Sequence, residues 1–228
     1  MVHRDRRSAI LTVEEEVKRI RRNGVDCCRF NIDALKPEKR GLVVEELQSE
    51  MGEKGKVRAL IHSIAKGNLK AMQTSQSPTL ANDDFHITLD AMAISLYDWV
   101  KAIFDQNLFA SDARVISFTS EGSSKAWQHY GAVSAAKAAL EAITRNIALE
   151  FAPYGIRANC IQAGLTETNS FKMIPGHETL KAHSLLRNPF QRLTTPEDIA
   201  NVVYLLCKEE AAWINGAVIP VDGGEGIR

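Results

Sequence analysis

The chain has 228 residues, 45% of them hydrophobic, and its 28 basic and 28 acidic side chains give a formal net charge of zero. This length suffices for one domain with a buried core, and the balanced charge gives no electrostatic reason to expect a nucleic-acid or anionic-membrane partner. The apolar stretches are shorter than a membrane span, and the four cysteines show no metal-ligand spacing. We therefore expect a reduced, cytoplasmic protein without a metal site.

Hydrophobic periodicity predicts an alternation of helices and strands along the chain. Helices are predicted over Thr12–Asn23, Pro37–Met51, Ile87–Gln106, Tyr130–Phe151 and Thr195–Cys207. Strands are predicted over Val25–Ile32, Lys56–Ile64, Arg114–Thr119, Ile156–Gln162 and Ala217–Val221. Such alternation indicates an α/β protein in which helices cover both faces of a parallel sheet.

The first strand of a doubly wound parallel sheet normally leads into a glycine-rich turn, which holds a pyrophosphate at a helix N-terminus. No Gly-x-Gly-x-x-Gly motif occurs in the sequence. The start of the chain, Val2-His3-Arg4, instead resembles the end of a second strand. The interpretation is a single Rossmann-type domain, residues 1–228, that lacks the first β-α unit, a segment of roughly 30–40 residues.

Four short motifs in the C-terminal half point to chemistry. They are Val115-Ile116-Ser117 followed by Ser120, Ser134-Ala135-Ala136-Lys137-Ala138-Ala139-Leu140, Gly155-Ile156-Arg157-Ala158-Asn159-Cys160-Ile161 and Val221-Asp222-Gly223-Gly224. Their residues and their order resemble the short-chain dehydrogenase/reductase family. That resemblance covers the whole chain from about residue 114 onward and implies that Lys137 is a catalytic lysine.

The position of the tyrosine resembles one branch of that family. Most members place the catalytic tyrosine four residues before the lysine, where this chain has Val133, whereas Tyr130 stands seven residues before Lys137. This spacing is similar to that of the enoyl-acyl-carrier-protein reductases. Two further features match the same branch, His62-Ser63-Ile64-Ala65 after a buried strand and Ile94-Ser95 in place of the usual asparagine.

The resemblance implies a role for each catalytic candidate. Tyr130 would donate a hydrogen bond to the thioester carbonyl, where negative charge accumulates during hydride transfer. Lys137 lies about 10 Å further along the helix, so it would act mainly as a clamp on the nicotinamide ribose. Ser120 occupies the family's catalytic-serine position. Two alternatives stay open: Tyr130 as an ordinary surface tyrosine, and Ser120 as a hydroxyl that caps the strand end.

The resemblance also implies which residues contact a dinucleotide. Asn31 and Ile32 match positions beside the adenine, Ser63 and Ile64 match positions beside the ribose and phosphates, and Gly164 and Thr168 match the segment along the nicotinamide.

Two basic residues near the start of the chain, Arg4 and Arg6, would pair with a 2′-phosphate and favour NADPH, with NADH as the alternative cofactor. The neighbouring Asp5 weakens this argument, and a frayed, charged terminus is the other interpretation.

The segment from about residue 165 to 192 corresponds to the family's substrate lid. Its apolar side chains suit an acyl chain, although simple helix packing explains them equally well. These side chains are Phe171, Met173, Ile174, Leu180, Leu185 and Leu186.

The prediction is an NADPH-dependent enoyl thioester reductase of fatty acid biosynthesis, acting on acyl-carrier protein or coenzyme A thioesters. The resemblance further implies a homotetramer. A 3-oxoacyl or other carbonyl reductase of the same family is the first alternative, and a catalytically inactive homologue that acts as a partner protein is the second.

Overall fold

The computed structural model describes residues 1–75 and 78–227, with the backbone alone at Arg7. The chain divides into two compact units, Met1–Gly55 and the part that begins at Lys56. The sequence predicts one domain, and these two units are described separately below.

The first unit holds two short strands and two helices. Its elements are β1 (Val2–His3), α1 (Ile10–Arg21), β2 (Phe30–Asn31) and α2 (Pro37–Met51). The two strands are parallel and pair Val2 with Phe30 and His3 with Asn31. The strand predicted over Val25–Ile32 is therefore much shorter than expected, because only Phe30–Asn31 has a neighbouring strand to receive its hydrogen bonds.

Helix α2 agrees with its prediction at both ends. Pro37 occupies the first turn, where a missing backbone N–H costs nothing. Gly52 follows the last residue with a φ of 63° and ends the helix, since few other residues adopt this conformation without strain.

The second unit contains a four-stranded parallel sheet in the order β3-β4-β5-β6. Its strands are β3 (Val57–His62), β4 (Phe109–Ser120), β5 (Ile156–Ala163) and β6 (Val218–Val221). Its helices are α3 (Asn82–Leu89), α4 (Ser95–Asp105), α5 (Gly131–Glu150), α6 (Asn169–Lys172), α7 (His177–Arg187) and α8 (Pro196–Leu206). The predicted α/β fold, a parallel sheet with flanking helices of the Rossmann type, is confirmed.

One sheet was predicted, but the described residues form two, β1-β2 and β3-β4-β5-β6. Each of the two sheets lies within one of the two units.

The long helix predicted over Ile87–Gln106 is interrupted by a π-helical segment, Asp90–Ile94, between α3 and α4. Ser95 follows this segment, and its hydroxyl donates to the Ala91 carbonyl at 2.8 Å. The His62 Nε2 lies 2.7 Å from the same hydroxyl, which ties the wide turn to the end of β3. A π turn inside a helix often marks a functional site.

The core of the second unit lies between the sheet and helices α4 and α5. Its fully buried side chains include Leu96, Val100, Val115, Leu140 and Ile156. Helix α5 is thereby held against β4 and β5, which fixes the positions of the side chains at its first turns. Among the described residues, no helix is both long enough and apolar enough to cross a membrane.

Candidate active site

The carboxyl ends of the four parallel strands of the second unit meet at one edge of the sheet, where open α/β proteins bind their ligands. A cavity of about 680 Å³ lies at this edge. Residues that line it include Ser63 after β3, Ser120 at the end of β4, Gly164 after β5, Asp222 after β6, Tyr130 and Lys137 of the α5 region, and Phe171, Ile174, Leu180, Ser184 and Arg187 of the lid segment.

Tyr130 precedes the first residue of α5, and only 8% of it is exposed. Its ring packs against Gly122 in the turn after β4, where an added Cβ would lie 2.5 Å from the ring. Burial raises the pKa of Tyr130 above its ordinary value, and the Ser120 hydroxyl, which faces it outside regular hydrogen-bond geometry, partly offsets that rise. The phenol is therefore protonated at neutral pH and able to donate a hydrogen bond.

Lys137 lies two turns further along α5 and is also buried. Its ammonium donates to the Phe118 carbonyl of β4 at 2.7 Å. Burial lowers the pKa of Lys137 to about 8, and the nearby Cys160 and Glu141 oppose that change. Burial thus makes the charged form of this lysine less favourable than that of an exposed one, although the ammonium still predominates at neutral pH.

A layer of polar side chains lies beneath this lysine. His62 at the end of β3 is buried, and burial together with the positive charge of Lys137 lowers its pKa to about 4. On the neighbouring strand, the Thr119 hydroxyl donates to the Glu141 carboxylate at 2.7 Å. The Thr119–Glu141 hydrogen bond joins α5 to the end of β4, whereas His62 bonds to Ser95 of α4.

Val133 occupies the place that most family members give to the catalytic tyrosine. It is 3% exposed and packs in one cluster with Met92, Tyr130 and Ala136. An added Cβ on Gly67 would lie 3.0 Å from Val133, so the wall is closely packed here. Among the described residues that line the cavity, Tyr130 is the only tyrosine.

A group of charged side chains at the lid side of the cavity was not predicted. The Arg187 guanidinium of α7 donates to both Glu121 carboxylate oxygens, at 3.1 and 2.6 Å, and to the Glu225 carbonyl at 2.9 Å. Burial alone would raise the pKa of Glu121, but hydrogen bonds from Arg187 and Lys125 outweigh it and lower that pKa. No sequence signal indicates this group, because its members lie 66 and 38 residues apart.

The structure brings most of the predicted site residues together. Tyr130, Lys137, Ser120, Ser63, Gly164 and Thr168 all line the cavity. The Thr168 hydroxyl accepts the Phe171 N–H at 3.1 Å, which begins the short helix α6. Ile64 is half-buried beside Ser63 and is not among the lining residues. The roles assigned to these residues remain predictions.

Four other predicted site residues belong to the first unit. Arg4 donates to the Asp33 carboxylate at 2.9 Å. The Asn31 side chain accepts from the Asp5 N–H at 3.0 Å and donates to the Asp5 carbonyl at 3.1 Å. Arg6 is exposed and Ile32 is half-buried. Their proposed contacts with a dinucleotide stay predictions.

The predicted lid, residues 165–192, contains the helices α6 and α7. Phe171, Ile174 and Leu180 line the cavity, whereas Met173 and Leu186 are 74% and 80% exposed. The apolar side chains of this segment therefore fall into two groups, one that lines the cavity and one that is exposed to solvent.

The cavity fits one half of a nicotinamide dinucleotide better than the other. A buried ammonium on Lys137, an unpartnered hydroxyl on Ser120 and the strand-end segment from Gly164 suit the nicotinamide and its ribose. Gly164 itself approaches protein, because an added Cβ would lie 2.3 Å from Thr194 Oγ1. No described residue supplies a glycine-rich turn for the pyrophosphate.

A parallel sheet with flanking helices and a cavity at the carboxyl ends of its strands is the arrangement of the Rossmann class of α/β proteins. The family model described as Enoyl-(Acyl carrier protein) reductase matches residues 5–225. The chain belongs to this family, the enoyl-acyl-carrier-protein reductase branch of the short-chain dehydrogenases/reductases.

Two curated relatives illustrate the similarity. The protein FixR of Bradyrhizobium diazoefficiens is 32% identical over 142 residues, which cover 62% of this chain and 48% of FixR. The enoyl-[acyl-carrier-protein] reductase [NADH] FabI of Aquifex aeolicus is 29% identical over 170 residues, which cover 75% of this chain and 62% of that protein. The chain thus spans about half to three fifths of the length of these relatives.

Solved structures agree on the fold. The crystal structure of the Aquifex aeolicus enoyl-[acyl-carrier-protein] reductase (NADH) has a TM-score of 0.84 at 25% identity and covers 100% of this chain and 85% of that one. The Bacillus cereus enoyl-acyl carrier protein reductase, solved with NADP+ and indole naphthyridinone, has a TM-score of 0.87 at 23% identity, with the same coverage of 100% and 85%.

Proposed function

We propose that this protein reduces the carbon–carbon double bond of an enoyl thioester with a nicotinamide cofactor. The observation that carries the proposal is the pair of buried groups, Tyr130 and Lys137, on the wall of one cavity, with Val133 closing the position of the more common tyrosine. Membership of the enoyl-acyl-carrier-protein reductase family supports the same reaction.

Tyr130 stabilises the charge that develops during the reaction. Hydride addition to the β-carbon moves negative charge to the thioester oxygen, and a protonated phenol at that oxygen donates a hydrogen bond to it. The raised pKa of Tyr130 keeps its proton in place. The contact between its ring and Gly122 holds the phenol in one orientation, so no reorganisation is needed when the charge appears.

Lys137 contributes binding and electrostatics. A nicotinamide cofactor would supply the hydride when bound, and the buried ammonium of Lys137 would hold the hydroxyl groups of its ribose. The Phe118 carbonyl fixes the direction of that ammonium. The positive charge near the phenol also stabilises the developing oxyanion, although burial makes this charge dependent on pH near 8.

NADPH is the proposed cofactor and NADH the alternative. The basic side chains of Arg4 and Arg6 favour a 2′-phosphate. The Bacillus cereus structure was solved with NADP+, whereas the Aquifex aeolicus reductase is named for NADH. The proposed acyl carrier is acyl-carrier protein or coenzyme A, and the proposed pathway is fatty acid biosynthesis in the cytoplasm, carried out by a homotetramer.

The test compares two substrates and two cofactors with the purified chain. Loss of NADPH and NADH absorbance is followed with an enoyl and a 3-oxoacyl thioester of equal chain length. We expect reduction of the enoyl substrate, with NADPH preferred. Faster reduction of the 3-oxo substrate would identify a carbonyl reductase instead. Binding of neither cofactor in a direct titration would favour the inactive-homologue alternative, which the missing glycine-rich turn motivates.

A further inference from the structure

Two buried polar atoms on the lid side of the cavity have no hydrogen-bond partner. They are the Ser184 hydroxyl of α7 and the Glu225 Oε2 of the turn after β6, in residues that are 2% and 6% exposed. Both residues line the cavity. Buried polar groups in native proteins are nearly always hydrogen-bonded, so an unpaired carboxylate oxygen and hydroxyl beside a cavity indicate a ligand that completes them.

The neighbouring Arg187 guanidinium makes no hydrogen bond with Glu225 Oε2 or with the Ser184 hydroxyl. Arg187 directs its two short hydrogen bonds at Glu121 and a third at the Glu225 carbonyl. Its closest approach to the Glu225 carboxylate is 3.9 Å, and that distance is to Oε1. Glu225 Oε2 is therefore an acceptor that this guanidinium leaves unsatisfied.

The chemistry of the missing partner follows from the two atoms. A carboxylate oxygen only accepts hydrogen bonds, whereas a serine hydroxyl both donates and accepts. A hydroxyl or an amino group on a ligand can donate to Glu225, and either group can also bond with Ser184. A methyl group would leave both atoms desolvated and unpaired, which a site built for hydrogen bonding discriminates against strongly.

The lining of the cavity as a whole is mostly apolar. Met92, Val133, Phe171, Ile174 and Leu180 contribute to its walls. We propose that the preferred substrate is an enoyl thioester whose acyl part carries a hydroxyl or amino group, which Ser184 and Glu225 bind. This inference rests on the proposed function, because it assumes that an acyl thioester enters the cavity.

The test uses two enoyl thioesters of N-acetylcysteamine that differ only at the end of the acyl chain, one with a terminal hydroxyl and one with a methyl group. Wild-type protein should prefer the hydroxylated substrate by roughly ten- to a hundred-fold in kcat/KM. Ser184→Ala and Glu225→Gln should each reduce that ratio to about threefold or less. Glu178→Gln, on an exposed carboxylate of the same helix, should leave the ratio unchanged.

A binding measurement separates this inference from the proposed function. Saturated, unreactive versions of both thioesters are titrated against the fluorescence of Trp127, which lines the cavity. If no substrate is reduced but the hydroxylated ligand binds more tightly, the reaction is wrong and the polar subsite stands. Equal binding of both ligands overturns the subsite, whether or not the enoyl substrate is reduced.

Two sources of the same donor chemistry are distinguished by the same variants. If pantetheine thioesters replace those of N-acetylcysteamine and the variants then lose affinity for methyl-terminated chains, the donor lies on the carrier arm and the acyl assignment is wrong. If Glu225→Gln weakens NADPH binding by itself, the pair serves the cofactor, which also overturns the proposal. Both variants should be at least as stable in urea as wild type, and a large loss would reveal a structural partner instead.

Discussion

The two ends of the cavity hold their charged groups in opposite ways. At the sheet end, Lys137 is buried beside an uncharged carbonyl, and its pKa falls to about 8. At the lid end, the Glu121 carboxylate is paired with Arg187 and Lys125, and its pKa falls because those cations stabilise its charge. The sheet end destabilises the charge of the Lys137 ammonium, whereas the lid end stabilises the charge of the Glu121 carboxylate.

The difference is the one expected between a group suited to chemistry and a group that stabilises the structure. A buried amine without a paired carboxylate is costly for folding, and its charge state is easily changed. A charge with a bidentate partner is fixed in position and in protonation. The sheet end therefore has the properties expected of a catalytic centre, whereas the Glu121–Arg187 ion pair joins α7 to the turn after β4 and has those of a structural contact.

The largest expected effect is on turnover at the sheet end. Tyr130→Phe should lower kcat for an enoyl thioester by about two to three decades while NADPH affinity stays nearly constant, because the phenol binds charge that appears only during hydride transfer. Steady-state kinetics and a separate cofactor titration measure the two quantities. Tyr154→Phe, at a residue 59% exposed, is the matched control and should keep full activity. Full activity in Tyr130→Phe would refute the role of this phenol.

Substitutions in the Glu121–Arg187 ion pair should change mainly the free energy of unfolding. Arg187→Met leaves the partly buried Glu121 carboxylate with Lys125 as its remaining cation partner, which should cost about 2 kcal/mol of unfolding free energy. Adding Glu121→Gln to the same chain should recover most of that loss, since the carboxylate that lost its bidentate partner is then uncharged. Urea denaturation of wild type, both single variants and the double variant measures the coupling. Strictly additive losses would mean that the two side chains do not act as a pair.

Substitution of Lys137 should instead raise the free energy of unfolding. Its pKa of about 8 in the folded state lies below the ordinary 10.5, so the charged form is disfavoured by folding and stability rises with pH between 8 and 10.5. Lys137→Met should gain about 1–2 kcal/mol at pH 7, because the burial cost exceeds the lost hydrogen bond to Phe118. It should also lose cofactor affinity. Urea denaturation at pH 7 and pH 9.5 tests this, and a variant less stable than wild type at pH 7 contradicts it.

A smaller effect is expected from the turn that supports Tyr130. Gly122→Ala places a Cβ 2.5 Å from the tyrosine ring, so the ring must shift and kcat should fall by about tenfold with NADPH affinity unchanged. Gly41→Ala is the matched control, because nothing lies within 4 Å of its added Cβ and its helix should become more stable by about 0.5–1 kcal/mol. Unchanged kcat in Gly122→Ala would show that the ring position is not critical.

The sequence predicted elements that have a local signal. Pro37 and Gly52 mark both ends of α2, and the structure confirms these ends. The small residues around Lys137 and the motif before Asn159 placed α5 and β5 within a residue or two. The catalytic candidates were predicted from short motifs that resemble one family, and the structure places Tyr130, Lys137 and Ser120 on the wall of one cavity.

Features that depend on distant contacts were missed. The Glu121–Arg187 pair joins side chains 66 residues apart, and no periodicity reports such a pairing. The extent of β2 depends on its pairing with β1, which involves two residues of each strand. The sequence of residues Val25–Ile32 does not report this pairing. The π turn was missed as well, because its apolar residues also fit an uninterrupted helix.

The π-helical segment between α3 and α4 has a consequence for the direction of side chains. A π turn accommodates one residue more than an α turn, which offsets the angular register of the following helix by about 100°. With this offset, Leu96, Trp99 and Ile103 of α4 are buried. Removing one residue from Asp90–Ile94 would rotate this apolar stripe away from the sheet and disengage Ser95 from His62. The π-helical segment therefore determines which face of α4 packs against the sheet of the second unit.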